Sequence, residues 1–80
     1  MTLTDQLLQQ IFREVFENGN LILSDGLSAE TMPDWDSLAH MKLIMACEEE
    51  FGVKFSIEET VESNSVAALQ AVLTAKGAAR

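Results

Sequence analysis

Leu3, Leu7, Leu8, Ile11, Phe12, Val15 and Phe16 recur at three- and four-residue spacings, the pattern of a helix with one apolar face. Thr2 and Asp5 form a candidate cap pair at its start, and Gly19 a candidate stop behind it. Between 18 and 36 the period is lost: Asn18, Gly19, Asn20, Ser24, Asp25, Gly26, Ser28 and Pro33 are interspersed with Leu21, Ile22, Leu23, Leu27 and Met32. This segment is predicted to be a long loop pinned by its own apolar residues, and loops of such length in small domains are more often functional than not.

A second helix is predicted from Ser37 to Phe51, with Asp36 as N-cap and Gly52 as its C-terminal glycine. Val53-Lys54-Phe55-Ser56-Ile57 alternates too briefly for a sheet and reads as an extended connection. One or two helical turns follow through Glu58-Glu59-Thr60-Val61. A last helix, capped by Asn64 or Ser65, then runs through Val66, Leu69, Val72 and Leu73. These boundaries place one domain over 1–76 and a frayed tail over 77–80, with no internal repeat and no low-complexity segment.

Stepping by about 100° per residue splits the second helix into two apolar arcs. Ala39, Leu43, Ile44, Cys47 and Phe51 are expected to face the core. Leu38, Met41 and Met45 gather on another arc beside Ser37 and Glu48, with Lys42 and Glu49 near its edge. A helix that only packs inward does not need this second stripe. Loop residues could cover it, or it could meet a partner or ligand, a use suited to adaptable methionines.

Composition narrows the classes of function. With 80 residues, 48% of them hydrophobic, the chain is expected to fold alone around a modest core that leaves little room for a large internal catalytic cleft. Thirteen acidic against five basic residues give a formal charge of −8, which repels nucleic acid and anionic membranes and attracts basic protein patches. The expected partners are therefore proteins, and the expected state is a monomer. Cys47 is the lone cysteine, so no internal disulfide can form, and a reducing cytoplasm fits best. No apolar run approaches membrane-spanning length, and Met1-Thr2-Leu3-Thr4-Asp5 lacks the basic-then-apolar form of a leader, so a soluble, unprocessed chain is expected.

Ser37 is the leading candidate for chemistry. Its hydroxyl follows the Asp36 carboxylate at a helix start, where orphan N–H groups and partial positive charge favour a phosphate ester. An ordinary helix-start serine would occupy the same place. His40 and Cys47 share a helix face but stand about 10 Å apart along the axis, too far for a hydrogen-bonded nucleophile–base pair. His40 reads as a half-buried packing residue and Cys47 as a small core hydrophobe. Glu48-Glu49-Glu50 and Glu58-Glu59 point in divergent directions and follow no calcium-loop pattern, so they read as solvated faces and no metal site is expected. Trp35 reads as a loop anchor, with partner contact as the sharper alternative.

Asp36-Ser37-Leu38, together with the amphipathic first helix, the long loop and the run from Leu43 to Phe51, resembles the acyl carrier protein family over nearly the whole chain. The tripeptide alone is common by chance, and its weight comes from these surroundings. The resemblance implies an all-α fold, a four-helix bundle with a long first loop and a short third helix. It further implies that Ser37 receives 4′-phosphopantetheine from coenzyme A through a separate phosphopantetheinyl transferase. The arm's thiol would then carry acyl groups as thioesters to acyl-loading, acyl-transfer or condensing enzymes, and the chain itself would catalyse nothing. Asp36 would help present the serine, and Leu38, Met41, Met45 and Glu48 would form the docking surface.

Some positions depart from carriers of fatty acid synthesis: Ala39 and Lys42 stand where acids are common, Ser56-Ile57 replaces a Pro-acidic opening, and Ser63 holds a usually apolar place. A short or displaced third helix is expected from the last two. The wording Trp35-Asp36-Ser37-Leu38 looks more like discrete carriers of specialised pathways, such as polyketide, hybrid peptide or unusual extender-unit assembly. A fatty acid synthesis carrier is the alternative. The rival from another class is an unmodified helical adaptor that binds one partner through Leu38, Met41 and Met45.

Overall fold

A computed structural model describes residues 3–77. It contains four helices in chain order: α1 Leu3–Val15, α2 Ser37–Phe51, α3 Ile57–Glu62 and α4 Val66–Ala75. The proposed cap residue Thr2 and the tail residues 78–80 lie outside the described residues. Leu8, Ile11 and Phe12 of α1, Leu43, Ile44 and Cys47 of α2, and Val66, Leu69 and Leu73 of α4 make one buried cluster, joined by Leu21 and Trp35 from the first loop. The predicted core arc of α2 therefore does face inward, with Ala39 and Phe51 half-buried at its margins. Burial of this apolar surface is the main force assembling the bundle.

The end of α1 differs from expectation. The helix stops at Val15 rather than running toward Gly19, and Glu17 takes a left-handed backbone with φ of 52°. The Glu17 N–H bonds the Glu14 carbonyl at 3.3 Å and the Asn18 N–H bonds the Arg13 carbonyl at 2.9 Å. This pair of bonds is a Schellman motif, which satisfies the last carbonyls of the helix. The chain turns early because the loop is drawn back along α1: Arg13 Nε donates to the Leu21 carbonyl at 2.7 Å, and the Leu23 N–H donates to Gln9 Oε1 at 2.8 Å. With Leu21 buried and Leu23 half-buried, these bonds seat the loop on the helix that precedes it.

The other helix ends follow the sequence reading. Asp36 caps α2 through a 2.8 Å bond from the Ala39 N–H to its Oδ1, and Gly52 closes the helix with φ of 66°. Ser56 and Glu59 form a reciprocal capping box at the start of α3, and Ser65 rather than Asn64 caps α4. The loop meets this region through a short bridge: the Ala29 N–H bonds the Asn64 carbonyl at 2.9 Å, and the Val66 N–H bonds the Leu27 carbonyl at 3.0 Å.

α3 is indeed short. Ser63 follows it, fully buried, and its hydroxyl donates to the Glu59 carbonyl at 2.7 Å. That bond satisfies both the hydroxyl and a helix-end carbonyl, so a polar residue is tolerated at this buried place. α3 itself buries no side chain. On the α4 side it is held by the ion pair Lys76 Nζ–Glu59 Oε1 at 2.8 Å. The hydrogen bond from Lys76, followed by the one from Ser56, holds the Glu59 carboxyl below its ordinary range.

Glu17 carries a conformational cost that glycine would not, because a left-handed L-residue is disfavoured by about 1–2 kcal/mol. Allowing for the greater unfolded-state freedom of glycine, Glu17→Gly is expected to stabilise the fold by about 0.5–1 kcal/mol. Urea unfolding should show a higher midpoint with an unchanged slope, and an unchanged or lower midpoint would contradict this account.

Candidate functional site

Ser37 is the first residue of α2 and is exposed. The Asp36 side chain takes up the Ala39 N–H and the Asp36 carbonyl accepts from the His40 N–H at 2.8 Å, so the helix start is well fixed. Among the described residues the Ser37 hydroxyl has no hydrogen-bond partner. It stands open to solvent at the positive end of a fifteen-residue helix, a setting that favours a phosphate ester on that oxygen.

The segment before Ser37 is anchored by Trp35, which is buried with only 5% exposure. Its ring stands edge-on to Phe12 at 5.4 Å and 81°, and lies 6.0 Å from the Phe16 ring. Its indole N–H donates to His40 Nδ1 at 3.0 Å, and His40 Nε2 lies 2.7 Å from the Thr60 carbonyl. The expected loop anchor is therefore present. His40 is half-buried, as expected, but it also makes a specific bridge that spacing alone did not reveal.

A cleft of about 570 Å³ opens beside Ser37. Trp35, Ser37, His40 and Met41 line one side, and Thr60, Val61 and Asn64 the other. Its size falls in the range of small-molecule sites. Thr60, Val61 and Asn64 were missed as site residues because they lie more than twenty positions along the chain from Ser37. One signal was available: Ile57 and Val61 are spaced as one helical face, and they are 85% and 69% exposed.

The second stripe of α2 is also uncovered. Leu38, Met41 and Met45 are 66%, 52% and 62% exposed, so no loop residue covers them. Asp36 is exposed at the end of the same face, whereas Glu48 is half-buried and its Oε2 accepts the Phe55 N–H at 2.8 Å. Glu48 thus fastens the connection between α2 and α3. Lys42 and Glu49 are exposed at the edge of the stripe.

Two other candidates separate from the site. Cys47 is fully buried, and that burial, with a smaller contribution from Glu48, pushes its thiol up to about 12. Among the described residues no group of three or more His, Cys, Asp or Glu side chains is placed to hold a metal ion.

The phosphopantetheine attachment site family matches residues 34–73, a span that contains Ser37, every residue lining the cleft except Ala29, and the whole of α2 and α3. A solved structure, the solution NMR structure of a holo acyl carrier protein from Geobacter metallireducens, is 35% identical, with a TM-score of 0.83 over 94% of this chain and 86% of that one. The chain belongs to the acyl carrier protein family. No curated protein sequence matches it significantly.

As a carrier of this family, the protein is not an enzyme, and its cofactor is covalently attached 4′-phosphopantetheine. Family members meet phosphopantetheinyl transferases and acyl-handling enzymes. The predicted four-helix fold, with its long first loop and short third helix, is the one observed. No helix among the described residues is long and apolar enough to cross a membrane.

Burial and the raised thiol pKa leave Cys47 essentially without thiolate at moderate pH. Iodoacetamide at pH 8 is therefore expected to leave the native carrier, before attachment of its cofactor, unlabelled, with full labelling only in denaturant. Rapid native alkylation would contradict the burial of Cys47.

Proposed function

We propose that this carrier bears its 4′-phosphopantetheine arm on Ser37 Oγ and presents acyl thioesters to the enzymes of a specialised pathway, such as polyketide or hybrid peptide assembly. The observation that carries the attachment point is the exposed, unpartnered hydroxyl of Ser37 at the capped start of α2. When a transferase acts, the Ser37 oxygen forms a phosphodiester as the diphosphate linkage of coenzyme A breaks. The nucleotide bisphosphate leaves, and the serine proton passes to the transferase. The thiol of the attached arm supplies the thioester chemistry. Asp36 holds the helix start rigid, so the oxygen is offered in one place.

The adjacent cleft adds a second capability. Trp35, Met41 and Val61 present apolar surface beside the attachment point, and each methylene of a tethered chain sheltered there would gain about 0.8 kcal/mol. Leu38, Met41 and Met45 supply a docking surface continuous with Ser37, and Asp36 lies at its end. Glu48 belongs to this surface through its position and also secures Phe55.

Ala39 and Lys42 support a specialised pathway over fatty acid synthesis, since they reduce the acidity of the docking face. The net charge of −8 still favours partners with basic patches. A monomer working in the cytoplasm completes the reading, supported by the single buried thiol.

Incubation with coenzyme A and a promiscuous phosphopantetheinyl transferase should add one arm to the intact mass, and Ser37→Ala should abolish the addition. An unmodified wild-type mass across several such transferases would reject the attachment proposal and favour an unmodified adaptor. Independently, Met45→Glu should slow acyl transfer with partner enzymes by about tenfold, the effect of losing roughly 1.4 kcal/mol at an interface, while circular dichroism stays that of wild type. Loss of helicity in this variant would move Met45 from the docking face to the core.

A further inference from the structure

The hydrogen bonds around His40 fix its chemical form. An indole N–H can only donate, so the 3.0 Å bond from Trp35 Nε1 requires His40 Nδ1 to be the accepting nitrogen. A carbonyl oxygen can only accept, so the 2.7 Å bond to Thr60 requires the hydrogen on Nε2. One ring orientation and one neutral tautomer satisfy both contacts. The Thr60 carbonyl lies in the last turn of α3, among the carbonyls that find no partner within their own helix.

α3 has unusual need of such a contact. It spans six residues and buries no side chain, and Ile57 and Val61 project into solvent. Hydrophobic packing therefore fixes its position weakly. His40 ties it to α2, and through Trp35 to Phe12 of α1 and to Phe16 just after that helix. The same three residues, Trp35, His40 and Thr60, line the cleft beside Ser37, and Val61 of α3 forms part of its far wall.

We infer that His40, as its Nε2–H tautomer, is a positioning residue that holds α3 against the Ser37 segment and so sets the width of the cleft. The consequence for a tethered chain rests on the carrier reading proposed above, whereas the bridge itself does not. Losing the bridge frees α3 to move outward and opens the sheltered side of the cleft to water. Gln at position 40 can still pair one acceptor with one donor, whereas Phe can do neither. Trp35→Phe removes only the indole donor and keeps an aromatic ring on Phe12.

The test begins on the full-length protein without its arm. Long-range proton–nitrogen NMR should find the His40 hydrogen on Nε2; a hydrogen on Nδ1 overturns the assignment. In His40→Phe, amide exchange in α3 should accelerate about five- to tenfold, the scale of one lost net hydrogen bond, while α1 and α4 keep their protection. Trp35→Phe should give a smaller acceleration of the same amides, and His40→Gln should restore much of the protection lost in His40→Phe. Unchanged α3 exchange in His40→Phe overturns the proposal, as does equal loss of protection in α1 and α4, which would make the contact one of general stability.

On octanoyl-loaded carriers, hydroxylamine should cleave the thioester faster in His40→Phe than in wild type. Equal rates would refute the effect on the cleft. A wild-type protein that accepts no arm would instead reject the carrier reading, leaving the exchange and tautomer results to decide the bridge on their own.

Discussion

The geometry around Ser37 depends on how Trp35 is used. One side chain supplies an apolar ring to Phe12 of α1 and Phe16 just beyond it, and a polar N–H to His40 of α2. An indole can do both because its only donor lies at the edge of a large hydrophobic surface. Burial of the ring brings the end of a twenty-one-residue connection, 16–36, to a fixed point on the bundle. The next residue caps α2 and the one after it is Ser37, so the anchor and the exposed hydroxyl are inseparable. A long loop that wandered at this point would leave the Ser37 hydroxyl without a defined position.

α2 carries two apolar faces around its circumference, one buried and one exposed. Leu43, Ile44 and Cys47 are buried, whereas Leu38, Met41 and Met45 remain in solvent. The helix can sustain this double exposure because both of its ends are independently satisfied, by Asp36 at the start and by the left-handed Gly52 at the finish. Ser56 and Ser65 do the same for the starts of α3 and α4. Oxygen caps in place of additional burial let short helices exist in a chain too small for a large core. In the proposed function this division has a purpose: one face builds the bundle and the other remains available to enzymes that must reach the carried group.

α3 lies at the other extreme. It contributes nothing to the buried cluster and is located by polar contacts: the capping box, the Lys76–Glu59 ion pair, the His40–Thr60 bond and the buried Ser63 hydroxyl behind it. Hydrogen bonds of this kind contribute modest net free energy each, so a helix held mainly by them opens more readily than one held by a core. The cleft beside Ser37 is thus walled on one side by the helix that buries no side chain.

The sequence by itself determined the element order, both ends of α2, the two faces of that helix, the short α3 and the serine most suited to carry a phosphate ester. These are legible because periodicity, capping and charge at a helix start are local properties, set by residues within a few positions of one another. Gly19 misled for a related reason: it is a good stop in isolation, but Arg13, Gln9 and Leu21 pull the loop back so early that Glu17 takes the left-handed turn instead. Only the tertiary structure decided that His40 bridges Trp35 to Thr60, that Glu48 secures Phe55, and that Val61 and Asn64 face Ser37 across a cleft. Each of those joins atoms on separate elements, and their distances depend on how the whole bundle packs, which spacing along one helix does not encode.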